Sequence, residues 1–498
     1  MRTITLFLVL LIFSQLKAQN IQITAGPIYK QNELPEPSTL IRPLADGSYY
    51  VLQQQYVLKY FQTFVWLSRF NSKNELLWEK NITQGNILGK MYDTEGFAFL
   101  PDDKMVLFLS LWDDKRKANV LYTNEIGSDG SKSEALTEIV AENAEKMAKR
   151  GNFTVKSSAD GSKVLIQFEP ERIKDTKEQL KLTVADANLK TIWTNTFTLS
   201  YDWDKAVNND AMVANDGKVF VVKKTFLKYD PQYDVLVADE GGKKMKQLKI
   251  DLSGKKFATI NYQLNSAQDL IITGFNSEDG KVVAGGTTSH GAFYRKVDNK
   301  SMEMTASMDN KFEKPFKNLT LRKTCLTSDG KMFLFAEKYW EEKSASGKMK
   351  DGWPVDDIHY NNNEALVVSL DAGGKLVYNQ VINKEQKSTN DLGANNGIIT
   401  AVDDGVALVM FNDYELKYIP NPTPKQSDDL RYSRIPVIAA INTDGKIAML
   451  PQFNTPVGGL RSTVWPNSLI YENAPDGSII FRASNASGEY KMARLSIK

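Results

Sequence analysis

The sequence predicts an all-β chain in which a four-stranded antiparallel unit is repeated eight times around a ring, and three observations predict it. The first is a recurring turn: LADGS (44–48), LPDDK (100–104), SADGS (158–162), ANDGK (214–218), SEDGK (277–281), TSDGK (327–331), VDDGV (402–406) and APDGS (474–478). Asp-Gly between β-rich runs is a strong hairpin signal, because a tight two-residue turn needs positive φ and glycine tolerates it. From Asp46 on, the turn aspartates are 57, 57, 56, 63, 50, 75 and 72 residues apart.

The second observation is the strand that leaves each turn. The runs YYVLQQ, MVLFLSLW, KVLIQF, KVFVV, KVVAGG, KMFLFAE, VALVMF and SIIFRA are mostly continuous in hydrophobicity rather than alternating. Such strands are covered on both faces. The third is a second turn in each of the first seven units: NSKNE, GSDGS, DANLK, DEGGK, DNKSM, DAGGK and NTDGK. Two hairpin turns and four strands per period of this length describe a blade of an eight-bladed β-propeller, in which radial repetition leaves only short edges.

The eighth unit stops one strand early, after EYKMARLSIK. The segment 20–30, NIQITAGPIYK, precedes the first unit and supplies a strand to close the last blade, so that no edge is left open. Two sandwiches in series are the competing architecture, disfavoured by the even spacing and the lack of a Pro/Gly/Ser linker. A single propeller domain is therefore expected over 19–498. One stretch departs from the pattern: 134–150, EALTEIVAENAEKMAKR, carries Leu136, Ile139, Val140 and Ala144 at helical spacing and reads as a short amphipathic helix.

Residues 1–18 read as a secretory signal, with Arg2, an apolar run from Ile4 to Phe13 and a small residue at Ala18. The chain is thus expected to be exported, to the periplasm, the cell surface or the medium, and to lack a transmembrane segment. Of 498 residues, 42% are hydrophobic and 24% charged, with a net charge of +2. That balance lacks the basic footprint that nucleic acid requires. Cys325 is the sole cysteine, so no internal disulfide forms and a buried core must hold the exported domain.

The turns ANDGK, TSDGK and NTDGK, each opening an apolar strand, resemble the repeat of secreted bacterial β-propellers. NELLWEK (74–80) and LKTIWTN (189–195) are similar to the Trp-bearing strands of quinoprotein propellers, also eight-bladed, which dock a Trp in nearly every blade. Here Tyr378 and Leu450 stand at matching positions in two other blades. SSADGSKV (157–164) lacks the spacing and the Trp of a sialidase Asp-box. The resemblance implies the fold and carries over no activity or cofactor.

Function is expected where loops lengthen on the face holding the second-to-third strand connections. Two stretches stand out, 338–363 and 413–435, in adjacent blades six and seven. They bring Tyr339, Trp340, Trp353, His359, Tyr360, Asp413, Tyr414 and Arg431 as ligand-binding candidates. Trp112 and Asp113, His290, and Tyr229 with Tyr233 join them from shorter loops. Amphipathic aromatics beside fixed charges carry binding energy for protein, peptide or glycan. The alternative to a binding module is a hydrolase acting on polysaccharide or peptide at the channel mouth. No catalytic residue is assigned: Ser289-His290 has no nucleophile elbow, and no phosphate-binding glycine loop is present. No metal or other cofactor is assigned either, since loop residues on different blades, His290 and His359 included, have no fixed separation.

Overall fold

A computed structural model describes residues 21–30, 38–57, 62–82, 92–202, 206–227, 230–278, 282–283, 286–350, 353–391, 393, 396–429, 433–452, 463–464, 471–473, 476–484 and 489–497. Residues 1–18 lie outside them. Eight antiparallel sheets follow one another along the chain. Blade one is Ser38–Pro43, Tyr49–Val57, Gln62–Phe70 and Leu76–Asn81; blade two is Asp93–Phe99, Met105–Asp113, Ala118–Ile126 and Thr137–Asn143. Blade three is Asn152–Ser157, Lys163–Glu169, Lys177–Asp186 and Thr191–Asp202; blade four is Ala206–Val213, Val219–Leu227, Asp230–Ala238 and Met245–Lys249. Blade five is Lys256–Leu264, Leu270–Ser277, Gly286–Asp298 and Glu303–Lys317; blade six is Leu319–Leu326, Met332–Lys350, Trp353–Leu370 and Leu376–Ile382. Blade seven is Ile399–Asp403, Val406–Tyr414, Arg434–Ile441 and Ile447–Pro451. First strands of successive blades touch, as in blades two and three or five and six, which places them around the central channel.

The last blade closes as expected. Ile479–Ser484 pairs with Glu489–Ile497, and the outer position beside Glu489–Ile497 is taken by Ile21–Ala25 from the other end of the chain. Short strands Thr463–Val464 and Tyr471–Asn473 complete the channel side.

Eight apolar clusters, each straddling two consecutive blades, form the core. Tyr50 and Leu67 meet Met105 and Ile126 between blades one and two; Val106 and Phe108 meet Ile166 and Phe168 next. The series runs on to Leu408 and Ile438 against Ile479 and Leu495, and ends with Ile480 and Met492 against Val51 and Phe70 of blade one. The continuous hydrophobicity of the second strands now has its reason. Val219 and Val221 pack toward blade three, while Phe220 and Val222 pack toward blade five. Opposite faces of one strand serve opposite neighbours, so both must be apolar.

The repeated turns are mostly one residue longer than the two-residue type. In LADGS, Leu44 N donates to Ser48 O (2.9 Å) and Gly47 N to Leu44 O (3.1 Å), with Gly47 at φ +79°. The aspartate serves as an acceptor: Asp46 Oδ1 takes the Ser48 amide at 2.8 Å, as Asp160, Asp216 and Asp476 do in their turns. Asp404-Gly405 alone of these aspartate turns spans directly paired residues, Asp403 and Val406.

Rings on the outer strands lock successive blades. A Cβ on Gly130, in the second turn of blade two, would lie 2.7 Å from the Trp78 ring of blade one. On Gly242 of blade four it would lie 2.2 Å from Trp193 of blade three, and on Gly445 of blade seven 3.3 Å from Tyr378 of blade six. Each aromatic ring is seated under a turn glycine of the next blade.

Three expectations need correction. The stretch 134–150 is not a helix: Thr137–Asn143 is the fourth strand of blade two, followed by a 3-10 turn, Met147–Lys149. A bulge between Glu138 and Val140 breaks the strand's alternation, and Ile139 and Val140 both pack on the core. SEDGK is not the first turn of blade five. That turn is 265–269, closed by Asn265 N donating to Asp269 O, and the second strand is Leu270–Ser277 rather than KVVAGG. Finally, 338–363 is not an irregular loop but the continuation of two paired strands. Among the described residues no helix is long and apolar enough to cross a membrane.

Candidate functional site

The second and third strands of blade six are 19 and 18 residues long, against nine and eight in blade seven. Their pairing continues past the blade from Tyr339↔Asn362 to Lys350↔Trp353, forming a two-stranded ribbon. At ~3.3 Å per residue its ten outer pairs reach ~30 Å beyond the sheet. A short strand, Gln386–Thr389, pairs with 359–362 and braces the base.

The root of the ribbon is ionic and buried. Glu337, with no exposed surface, accepts Lys384 Nζ on Oε1 (2.5 Å) and Asn362 Nδ2 on Oε2 (2.8 Å), with Arg322 Nε at 2.9 Å. Lys384 also donates to Asn362 O (3.0 Å) and Gln386 Oε1 (2.8 Å). Burial draws the Lys384 ammonium below the usual lysine range, and Glu337 opposes that shift. The cluster is satisfied on several sides, which fixes the direction in which the ribbon leaves the blade.

Along the ribbon, the Tyr339 hydroxyl donates to Glu341 (2.5 Å) and its ring lies 5.1 Å from the Arg322 guanidinium. Burial raises the Tyr339 phenol, and Glu341 adds to this. Trp340 Nε1 donates to Glu342 (2.8 Å), and its half-buried ring faces Lys338. His359 Nε2 and Nδ1 bond to the hydroxyls of Ser344 (2.8 Å) and Thr389 (2.9 Å). Tyr360 is buried, so it belongs to the base rather than to a contact surface. Trp353 opens the returning strand opposite Lys350.

The insertion of blade seven adds a 3-10 turn, Glu415–Tyr418, and a short helix, Pro424–Asp429. Asp413 is buried and accepts Lys417 Nζ (2.7 Å) and the Tyr418 hydroxyl (2.8 Å), so it organises the insertion instead of facing a ligand. Tyr414 lies 5.0 Å from the Arg434 guanidinium, and Arg434 reaches Lys387 O at 3.4 Å on the strand that braces the ribbon. The insertion of blade seven is therefore linked to the ribbon of blade six through that bracing strand. Arg431 and Tyr229 lie outside the described residues.

The other candidates stand apart. Trp112 is buried with Nε1 on Asp114 (2.7 Å), and Asp113 accepts the amides of Lys115 and Arg116 in a tight turn of blade two. His290 Nδ1 accepts the Glu278 amide (3.2 Å) in blade five. The two histidines are thus engaged separately, on different blades. Among the described residues no group of three or more His, Cys, Asp or Glu side chains is placed to hold a metal.

Sequence reasoning missed a recess on the same face between blades three and four. Lys223, in the second strand of blade four, has its side chain wholly buried and donates to Glu178 Oε1 (2.7 Å) in blade three. Burial lowers the Lys223 ammonium against the opposing pull of Glu178. Asn209 Nδ2 bridges Glu178 Oε1 (2.9 Å) and Glu169 Oε1 (3.2 Å). On the channel side Asp210 pairs with Lys156 and accepts the Tyr262 hydroxyl (2.5 Å). One signal was there to find: VVKK (221–224) puts a lysine inside an otherwise apolar second strand. Farther round the channel, on the first strand of blade two, burial pushes Glu95 up to about 7 while the Ser110 hydroxyl holds it down.

No family model matches the chain, and no curated protein matches it. Among solved structures it is similar to the β-propeller domain of the Trilobed protease from Pyrococcus furiosus, at 12% identity over 85% of this chain and 98% of that one, with a TM-score of 0.37. It is also similar to an ulvan lyase of a new polysaccharide lyase family, at 9% identity over 85% and 95%, TM-score 0.42. A third is the α-L-arabinanase of Penicillium chrysogenum, at 11% identity over 72% and 98%, TM-score 0.35. The propeller architecture rests on this chain's own strand pairing, and these structures are other propellers like it in fold.

Proposed function

We propose that the chain is an exported binding module that holds an extended ligand, a peptide or a glycan, against the face carrying the ribbon. One observation carries the reading. The blade-six ribbon is far longer than a blade needs, stands on a buried ionic root, and is tied through Arg434 and Lys387 to the insertion of blade seven. A long hairpin that only connected two strands would need no such anchoring. Tyr339, Trp340 and Tyr414, each beside a cation, supply amphipathic rings of the kind that dominate binding surfaces. Export is supported by Arg2, the apolar run Ile4 to Phe13 and Ala18.

The test is a glycan and peptide array probed with the intact chain, with Trp340→Ala, and with a variant whose ribbon is cut from 343 to 357 and closed by Asn-Gly. The reading expects a ligand signal that both variants lose while the melting temperature stays within a few degrees. A wild-type chain that binds nothing, or a trimmed chain that binds equally well, overturns it. A hydrolase is the second reading, favoured by Glu95, whose raised pKa beside the channel suits a general acid. Turnover of an arrayed ligand, abolished by Glu95→Gln, would install it in place of the first.

A further inference from the structure

A separate recess, open to solvent, lies on the outer shoulder of blades three and four, on the face that carries the ribbon. Its walls are strand ends: Tyr201 from the last strand of blade three, and Phe226, Asp234 and Lys249 from the second, third and fourth strands of blade four. It offers about 590 Å³, within the range of small-molecule sites. The Tyr201 hydroxyl donates to Asp234 Oδ2 (2.5 Å), and Gln247 Nε2 donates to the Tyr201 oxygen and to Asp234 Oδ2, both at 3.0 Å. These bonds tie the two blades together and hold the Tyr201 ring as a wall. Both bonds to the carboxylate fall on Oδ2; no described group donates to Oδ1 of this half-buried Asp234.

Lys249 stands directly opposite Asp234 in the sheet, so both side chains leave on one face, yet Lys249 is exposed and makes no ion pair among the described residues. Phe226 is 38% exposed, with the Lys224 ammonium 5.2 Å from its ring. The other carboxylate of the lining, Asp202, is matched by Lys177 at 2.6 Å. The recess thus keeps one unmatched ammonium, one open carboxylate oxygen and two rings from different blades. A neutral sugar leaves Lys249 unanswered, and a bare anion leaves the rings uncovered and brings no donor to Asp234. A peptide carboxyl terminus is captured by backbone amides, whereas these walls present side chains. We propose that the recess binds an acidic saccharide: a uronate whose carboxylate pairs with Lys249, whose hydroxyls donate to Asp234 Oδ1, and whose C–H face packs on Phe226 and Tyr201. The site stands on its own walls and is independent of the ribbon, which rises from blade six.

The experiment is calorimetric titration of the full chain with trigalacturonate, triguluronate, trimannuronate and cellotriuronate, with cellotriose as the neutral control and N-acetyl-Gly-Gly-Phe as the peptide control. At least one uronate binds, and cellotriose binds at least about tenfold more weakly. Lys249→Gln and Phe226→Ala each weaken the uronate about tenfold, the equivalent of one lost charged hydrogen bond or one lost ring contact. Both side chains are exposed, so both variants keep their melting temperature within a few degrees. Lys246→Gln, on the same strand but paired with Glu303 of blade five, leaves the affinity unchanged, and so does Trp340→Ala. Binding by no uronate, equal binding of cellotriose or of the peptide, or a uronate affinity that either Lys249→Gln or Phe226→Ala leaves intact overturns the proposal. Equal loss in Lys246→Gln would reduce it to unspecific charge attraction and overturn it too. Loss in Trp340→Ala with none in the two recess variants also overturns it, and leaves the ribbon reading standing.

Discussion

Ile23 lies directly opposite Leu495, and the two close the ring: one belongs to the first described strand, the other to the last. Both sit in the cluster that joins blade seven to blade eight, beside Ile399, Leu408 and Ile479. Every other blade is made from contiguous chain, so among the described residues this is the one sheet that pairs strands from the two ends of the chain. Ile23→Ala should cost about 2–4 kcal/mol, the range for truncating a buried aliphatic side chain. Urea unfolding measures it. Deleting 19–26 should cost more and leave Glu489–Ile497 as an open edge that promotes association, visible as dimer or larger species by light scattering. A deletion variant that stays monomeric with an unchanged urea midpoint would show that the N-terminal strand is dispensable.

The second prediction concerns Gly242 and Trp193. Gly242 has φ +62°, and a methyl group there would collide with the Trp193 ring at 2.2 Å. Gly217 has φ +92° but open space, with nothing nearer than 3.9 Å. Gly217→Ala should therefore cost the backbone strain alone, about 1–2 kcal/mol. Gly242→Ala should add overpacking and cost about 3–4 kcal/mol in total. Because the clash needs the ring, Gly242→Ala combined with Trp193→Ala should be less destabilised than the sum of the two single variants. Strict additivity in that double-mutant cycle would refute the interlock.

How much of the fold the chain reveals depends on which constraints are local. Turn chemistry is local, so seven of the eight first turns and the closure were visible in the residues. Blade five was misplaced because its true turn carries no Asp-Gly: Asn265 caps Asp269 N with its side chain, and Gln268 adopts φ +66° where six of the other seven first turns use glycine. The decoy SEDGK, twelve residues on, had the right letters in the wrong place. The false helix at 134–150 came from a bulge that set Ile139 and Val140 side by side, imitating helical spacing. The recess was illegible for another reason. Glu178 and Lys223 are 45 residues apart on different blades, and their meeting depends on the angle between sheets, which no spacing encodes.

That pair gives the third prediction. Lys223 has its side chain wholly buried and Glu178 nearly so, and the ammonium also lies 5.5 Å from the Tyr201 ring. Removing one member strands the other's charge in a poorly solvated site. Lys223→Met should cost about 3–5 kcal/mol, as broken buried ion pairs do, whereas Lys223→Met with Glu178→Gln should recover much of the loss. Chemical denaturation of the single and double variants measures the difference. Equal stability of wild type and Lys223→Met would mean that the glutamate is solvated once its partner is gone.

The fourth prediction rests on Glu95. Burial raises its carboxyl from the ordinary 4.5 to about 7; Asp93 adds to this, and Ser110 and Arg150 oppose it. The side chain keeps some accessible surface, so part of the shift is screened by solvent. The sign is fixed by which state holds the proton. Between 4.5 and 7 the folded chain stays protonated at Glu95 while the unfolded chain ionises, so folding is favoured least once both are charged. This group's contribution is therefore complete below pH 4.5 and falls as pH rises through the window to about 7, beyond which the deficit is constant. At 1.4 kcal/mol per pH unit the full span would amount to about 3 kcal/mol, and about 2 is expected for a partly solvated carboxyl. Glu95→Gln keeps an acceptor for the Ser110 hydroxyl and removes the titration. Urea midpoints measured at pH 5, 6, 7 and 8 should therefore fall with pH in the wild type more steeply than in the variant, and the variant should be the more stable of the two at pH 8. Parallel curves would show that Glu95 ionises normally. The hydrolase reading, which needs a proton held on that carboxyl near neutrality, would then lose the observation that favours it.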